Sequence, residues 1–539
     1  MNSTTPAQPQ EAEHPSTSMS LRWLELGLIV LLFFLFVGPL TPEVNEPHYL
    51  SKARHYWNPK WCPEDHFLNS GDAHGVFYWS FGWITTLVSF PAAAWIGRVI
   101  CWIGIAVSWQ RMIAKIDNRP WIGFLAMAAG LAGINYLHMA GEWLIGGVEA
   151  KCFAYAIAFW AIGDALSQRW NRAWILLGVA SAFHVLVGGW MVVCLMISWL
   201  LCPQQRASLR SMLPGLFLGG AISLVGVVPL LLLNRDATDI QSNWASYYYV
   251  YERLSHHLVV HTFSDPFKLR FSLATVGWAI TAWILRNEDK LRVLNSIVAG
   301  SVVLVLIGVA IDQWFFNVVE DWLMATKLLR LYWYRIADIM VPLALALNVI
   351  LLLQRIGQDR PKLTKVGYLG LSLLVGLGMI VRIADRWTAT ASPADRSSLV
   401  SDPDAWVQTC HWIRENTDSD VICLTPRLQS SFKWYAERAE VVTTKDVPQD
   451  DVKLLEWRER RGDTHWRSVH SRNTLSLAGL TEEYIRELAA TYGFRYVIVD
   501  RKLANRDEME VSWSFPKLFP TDSLEEASYE VYEVTSADD

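Results

Sequence analysis

Long apolar runs separated by short polar, basic or aromatic connections fill residues 21–385. Runs such as Leu24–Leu40 and Leu213–Leu233 reach the roughly 20 apolar residues that a helix needs to cross a bilayer. Lys and Arg collect in alternate connections: Arg111/Lys115/Arg119, Arg169/Arg172, Arg206/Arg210, Arg286/Lys290/Arg292 and Arg355/Arg360/Lys362/Lys365. Basic connections stay on the cytoplasmic side. The stretches between them, 41–75, 138–150, the turn at His184–Gly189, 235–271 and 312–333, therefore fall outside. With spans near 24–40, 96–110, 121–138, 150–167, a two-helix hairpin in 173–202, and 212–234, 272–286, 293–311, 334–354 and 366–383, the pattern predicts about eleven crossings. Residues 76–110 are long for one helix and short for three, so 76–92 are expected to lie in or dip into the outer leaflet.

The pattern changes near residue 386. Residues 386–401, rich in Ser, Ala and Thr, read as a linker. Beyond them, strand-like runs (421–425, 440–443, 495–499) alternate with helical stretches (402–416, 428–438, 451–460, 481–492), which predicts a small α/β domain over 402–539 with a largely parallel sheet. Parity places it on the outer face. The polar, Pro/Ser/Thr-rich residues 1–20 read as a disordered cytoplasmic N-terminus. The first apolar run lacks a small-residue cleavage site and reads as a retained span. The fold class is thus mainly α: a polytopic transmembrane helical bundle with a small C-terminal extracytoplasmic α/β domain.

Composition agrees with a polytopic membrane protein. Of 539 residues 52% are hydrophobic and 18% charged, and 28 tryptophans suit two membrane interfaces. A net charge of −5 gives no reason to expect nucleic acid. The seven cysteines (62, 101, 152, 194, 202, 410 and 423) show no metal-ligand spacing. No GxGxxG or GxxxxGK[ST] occurs in the tail, and no metal or cofactor is indicated.

The chemistry concentrates in 41–75, which holds Glu43, Glu46, Glu64, Asp65, Asp72, four histidines, Lys52, Arg54 and Lys60 among aromatics. Titratable groups near membrane depth are costly and point to function. Others on the predicted outer side are Glu142, Glu149 and Lys151, His184, then Arg253, His256 and His257, and finally Lys327, Arg330 and Arg335. Acids opposed by cations and framed by aromatics suit a lipid-linked phosphate. The leaving phosphate of a polyprenyl-phosphate sugar is a stable anion, so one carboxylate suffices as base while cations hold the phosphate. A plainer reading of Glu46 is a helix start with Pro47 in its first turn. Asp164, towards the inner end of its span, reads as structural. His256 and His257 lack a third ligand spaced for a metal.

Asn45-Glu-Pro-His-Tyr49, just after the first span, resembles the D-E-x-x-Y signature of the aminoarabinose and protein O-mannosyl transferases in the GT-C superfamily of membrane glycosyltransferases. The layout is similar too: Tyr78-Trp79 and Arg98 before a span, a tight outer hairpin, a large outer loop with Glu, Arg and His, and an outer C-terminal domain. Asn45 replaces the usual first acid, and GDAHG stands where the family carries K-P-P. The resemblance implies transfer of a sugar from a polyprenyl-phosphate donor to an unknown glycan, lipid or protein acceptor at the cytoplasmic membrane. It implies Glu46 as base, with Glu149 and Asp72 as further acids. From their placement among the outer connections, Arg98, Lys151, His184, Arg253, His256, His257, Arg330 and Tyr49 are the candidate substrate or phosphate contacts. The alternatives are a non-catalytic member in envelope assembly and a lipid or solute transporter, the latter expected to show internal repeats.

Overall fold

The structure, a computed structural model, describes residues 19–319, 321–397, 400–466, 476–506, 508–520 and 527–535. The expected disorder of the N-terminal stretch falls, but for its last two residues, outside them. All eleven apolar segments fall on helices: α1 (Met19–Val37), α3 (Phe90–Ile116), α4 (Ile122–Leu137), α5 (Ala150–Leu166), α6 (Trp170–Phe183), α7 (Val185–Leu201), α8 (Leu209–Leu232), α9 (Asp265–Ile284), α10 (Asp289–Trp314), α11 (Arg335–Asp359) and α12 (Pro361–Trp387). Six of these are long and apolar enough to cross a membrane. Exposed leucines, valines and isoleucines line the outer faces of α8, α9 and α12. This is a multi-pass membrane protein.

Helix α2 (Glu46–Trp57) lies between α1 and α3 in the first loop. Short helical turns over 75–86 follow it and leave Trp79, Trp83 and Leu87 exposed, as an interfacial segment would. Within the bundle, α6 and α8 touch backbone to backbone. A Cβ on Gly178 would sit 2.1 Å from the carbonyl oxygen of Gly219, so the crossing requires glycine.

Most expected outer segments meet at one end of the bundle, under the tail. At the other end the basic connections pair: Arg111 and Arg172 with buried Asp164, Arg22 with Asn118, and Arg119 with Gln354. Asp164 is structural, as expected.

The tail folds on a five-stranded sheet of β1 (Ile422–Leu424), β2 (Ala439–Glu440), β3 (Tyr496–Asp500), β4 (Lys517–Phe519) and β5 (Tyr529–Glu533), in the order β2-β1-β3-β5-β4. The β2–β1–β3 pairings are parallel, whereas β3–β5 and β5–β4 are antiparallel, so the sheet is mixed rather than largely parallel. Strand β5 buries Tyr529, Val531 and Tyr532, and its half-buried Glu530 and Glu533 pair with Arg501 and Arg495. Helices α13 (Pro403–Asn416), α14 (Asp451–Arg461) and α15 (Glu482–Tyr492) match expectation, but 428–438 is helical only over Phe432–Tyr435.

One face of the sheet packs Trp406, Cys410 and Ile413. The other shares a core with Tyr249, Val250, Leu258 and Leu329 from the bundle's loops. The domain is therefore seated on apolar surface. Part of the expected linker is packed as well: Asp395 is buried and accepts hydrogen bonds from Ser392, Ser431 and Tyr435.

Candidate active site

Where the loops meet the tail there is a cavity of about 220 Å³, lined from six parts of the chain. The first loop gives Asn45, His48, Tyr49, Lys52 and His74; the α4–α5 connection and the start of α5 give Glu142, Trp143, Glu149 and Lys151. His184 comes from the α6–α7 turn, Arg253 and His257 from the large loop, Tyr332 and Arg335 from the start of α11, and Lys445 from the tail.

The α4–α5 connection is shaped from below. Asp338, one turn into α11, accepts the backbone N–H groups of Met139 (2.7 Å), Ala140 (2.9 Å) and Glu142 (3.2 Å). Three such donors satisfy a buried carboxylate and fix the chain that carries Glu142. Glu142 is then held between Lys151 Nζ and Arg335 Nε, both at 3.0 Å. Arg335 also reaches His184 Nε2 at 3.0 Å and lies over the Tyr332 ring. Burial pushes His184 well below its ordinary pKa, with Arg335 adding to the shift, so this histidine is neutral.

Glu149 caps α5. Asn45 donates to its Oε1 (2.5 Å), and Oε2 has Lys151 Nζ beside it at 3.7 Å, beyond hydrogen-bond reach. Burial raises the Glu149 pKa from its ordinary value, against the pull of Lys151 and Asn45. Lys151 sits 3.7 Å over the Trp143 ring. Tyr49 bonds through its hydroxyl to His74 Nε2 (3.3 Å), and burial lowers His74 to about 3. His257 Nδ1 bonds to the Ala140 carbonyl and is likewise lowered to about 3 by burial. Lys52 donates to the carbonyls of Phe67, Leu68 and Ser70, which folds 67–70 back against α2. With these partners, five cationic side chains (Lys52, Lys151, Arg253, Arg335, Lys445) face two carboxylates (Glu142, Glu149). The excess of positive charge suits an anion.

Of the candidates from sequence, Glu149, Lys151, His184, Arg253, His257 and Tyr49 line this cavity. Glu46 and Arg98 do not. They form a bidentate pair, Nε to Oε1 at 2.8 Å and Nη2 to Oε2 at 2.7 Å, both side chains fully buried. The N–H groups of Glu43 (2.8 Å) and Val148 (3.1 Å) occupy the remaining positions on the Glu46 carboxylate. A Cβ on Gly147 would lie 2.7 Å from Glu46 Cγ, so the α4–α5 connection closes over the pair. Glu46 does begin helix α2, with Pro47 in the first turn.

Asp72 stands 40% exposed, 3.5 Å from Lys52. Arg330 is turned to the tail, on Asp451 (2.7 Å) and the Gln449 carbonyl (3.0 Å). His256 stacks beside His257, one ring removed from the cavity. Sequence reasoning left out Lys445, His48 and His74 as named contacts, and it treated Asn45 as a gap where it is the partner of Glu149. Among the described residues no group of three or more His, Cys, Asp or Glu side chains is arranged to hold a metal ion.

Residues 404–464 match the family described as a domain of unknown function, DUF6798. No curated protein matches the chain in sequence. A solved structure is similar along its whole length. It is a crystal structure of ArnT from Cupriavidus metallidurans bound to undecaprenyl phosphate, with a TM-score of 0.47 and 12% identity over 97% of this chain and 99% of that one.

Proposed function

We propose that the protein is an integral membrane glycosyltransferase that moves a sugar from a polyprenyl-phosphate donor to an acceptor hydroxyl. The observation that carries this reading is the cavity's unbalanced charge beside one carboxylate, Glu149, whose Oε2 is near Lys151 but accepts no hydrogen bond. Lys151, Arg253 and Arg335 hold the phosphate. Glu149 Oε2 takes the acceptor's proton as its oxygen attacks the anomeric carbon. The bond from that carbon to the phosphate oxygen breaks, the phosphate leaves with the electron pair, and the sugar carbon is inverted. The cations stabilise the charge that gathers on the phosphate. This assigns the base to Glu149 rather than Glu46, whose acceptor positions are all filled. Basic connections at the far end of the bundle support an extracytoplasmic cavity and tail at a bacterial-type cytoplasmic membrane.

The test is transfer from radiolabelled polyprenyl-phosphate sugars by membranes carrying Glu149→Gln. Loss of a positioned base is expected to cost about 100-fold or more in turnover with donor binding retained. Wild-type turnover is expected to fall on acidification through the raised Glu149 pKa, because the base must be ionised; Glu149→Gln removes that limb. Undiminished transfer by Glu149→Gln rejects the assignment. No transfer by the wild type with any donor favours a non-catalytic role in envelope assembly, for which the sequestered Glu46 and the neutral Asn45 speak.

A further inference from the structure

The residues between β2 and α14 give the cavity Lys445, Val447 and Gln449 and are anchored on both flanks. Trp457 Nε1 donates to the Thr443 carbonyl (2.9 Å), and Arg253 Nε donates to that of Thr444 (2.8 Å). On the other side Asp446 pairs with Lys433 (2.7 Å) and His48 (2.9 Å). Arg330 holds the Gln449 carbonyl at 3.0 Å. Between these anchors Lys445 lines the cavity, and its ammonium has no hydrogen bond or ion pair among the described residues. Every other cation in the cavity wall is bonded at least once: Lys52 to carbonyls, Lys151 and Arg335 to Glu142, and Arg253 to Thr444. An ordinary surface lysine extends to water. This one is held half-buried within electrostatic reach of Arg253 and Lys151, with Glu149 as the nearest balancing acid.

We propose that the tail completes the binding site, with Lys445 contacting a phosphoryl oxygen of the ligand. This rests on the cavity being the donor site. Its local cost is visible: burial and then Arg253 lower the Lys445 pKa to about 8, and a bound phosphate would reverse that shift. The tail is then not an appended module, and the ligand closes the gap between bundle and tail.

The full-length protein in lipid nanodiscs tests this with two probes, a polyprenyl phosphate and inorganic pyrophosphate. Lys445→Gln is expected to weaken polyprenyl-phosphate binding about tenfold, and Lys445→Arg to stay within about threefold of wild type, with thermal midpoints unchanged. Binding of pyrophosphate but not of the lipid, still dependent on Lys445, keeps the contact and overturns the lipid donor. Equal binding of both probes by Lys445→Gln and wild type overturns the contact. The unaltered protein gives a second readout, acetylation of Lys445 by an amine reagent relative to exposed Lys60. Ligand should protect Lys445 and leave Lys60 unprotected, and equal labelling of Lys445 with and without ligand rejects the proposal.

Discussion

Glu46 and Glu149 are 0% and 2% exposed, each stands at the start of a helix, and each has an asparagine or arginine within hydrogen-bond reach. Their surroundings nevertheless make them opposites. Around Glu46 every acceptor position meets a donor, and the one cation present is spent on the one acid. Around Glu149 the donors run short and the cations outnumber the acids. A carboxylate whose hydrogen bonds are complete is inert scaffold, since any new partner must displace an old one at the cost of a buried unsatisfied group. A carboxylate with one oxygen left without a hydrogen bond, beside surplus positive charge, is where a proton and an anion can be accommodated. Closeness to a cation, then, does not mark a site; incompleteness does.

The same contrast recurs in the tail. Lys433 is the saturated counterpart of Lys445, tied to Asp446 and Glu440 at 2.7 Å and to Asp65 at 3.3 Å, all buried. Burial opposes its charge, yet these three acids hold its pKa well above the usual value. Because Asp65 belongs to the first loop and the other two acids to the tail, Lys433 locks the two together. Lys433→Met is expected to give the largest effect, at least the 3–5 kcal/mol of a broken buried pair, because three carboxylates lose one cation. Its signature is faster proteolysis of the tail at neutral pH. The crowded acids would bind protons more tightly folded than unfolded, so stability should fall as pH rises, and pH 5 should partly restore the variant. Equal proteolysis of variant and wild type at pH 7 would show that the apolar seat alone holds the domain.

Glu46→Gln comes next. It leaves Arg98 buried without its charge partner, for which about 3–5 kcal/mol of lost stability is expected, read as a lower thermal midpoint in detergent. Turnover per folded molecule should stay within about threefold of wild type, since the pair lies outside the cavity. The opposite pattern, a stable protein with abolished transfer, would return the base to Glu46 and erase the distinction between the two acids.

The bundle was legible because membrane spans announce themselves by apolar length, and all eleven expected segments are helical. The collection of Glu149, Lys151, His184, Arg253 and His257 was legible from their placement on the connections between the basic ones. Pairing was not. Nothing along the chain says that Arg98 completes Glu46, or that Asn45 turns to Glu149 across 104 residues. Lys445 carries no local signal, since it sits in a polar stretch of the tail and acquires meaning only from the cavity it meets. Tyr529–Glu533 is short and loses its alternation at Tyr532, and nothing along the chain marks the antiparallel pairing that makes the sheet mixed.

Asp72 supplies the smallest expected effect and the sharpest control. It is an acid of the first loop, close to a cavity-lining lysine, and by composition alone it is as good a base as Glu149. Its side chain is 40% exposed and its 3.5 Å pair with Lys52 is solvated, so Asp72→Asn should cost less than about 1 kcal/mol. Lys52 keeps its three carbonyl acceptors without it, which holds the 67–70 turn in place. Transfer and thermal midpoint should both match wild type closely. If Asp72→Asn instead abolishes transfer while Glu149→Gln does not, exposure rather than incomplete burial picks out the working acid, and the criterion drawn from Glu46 and Glu149 fails.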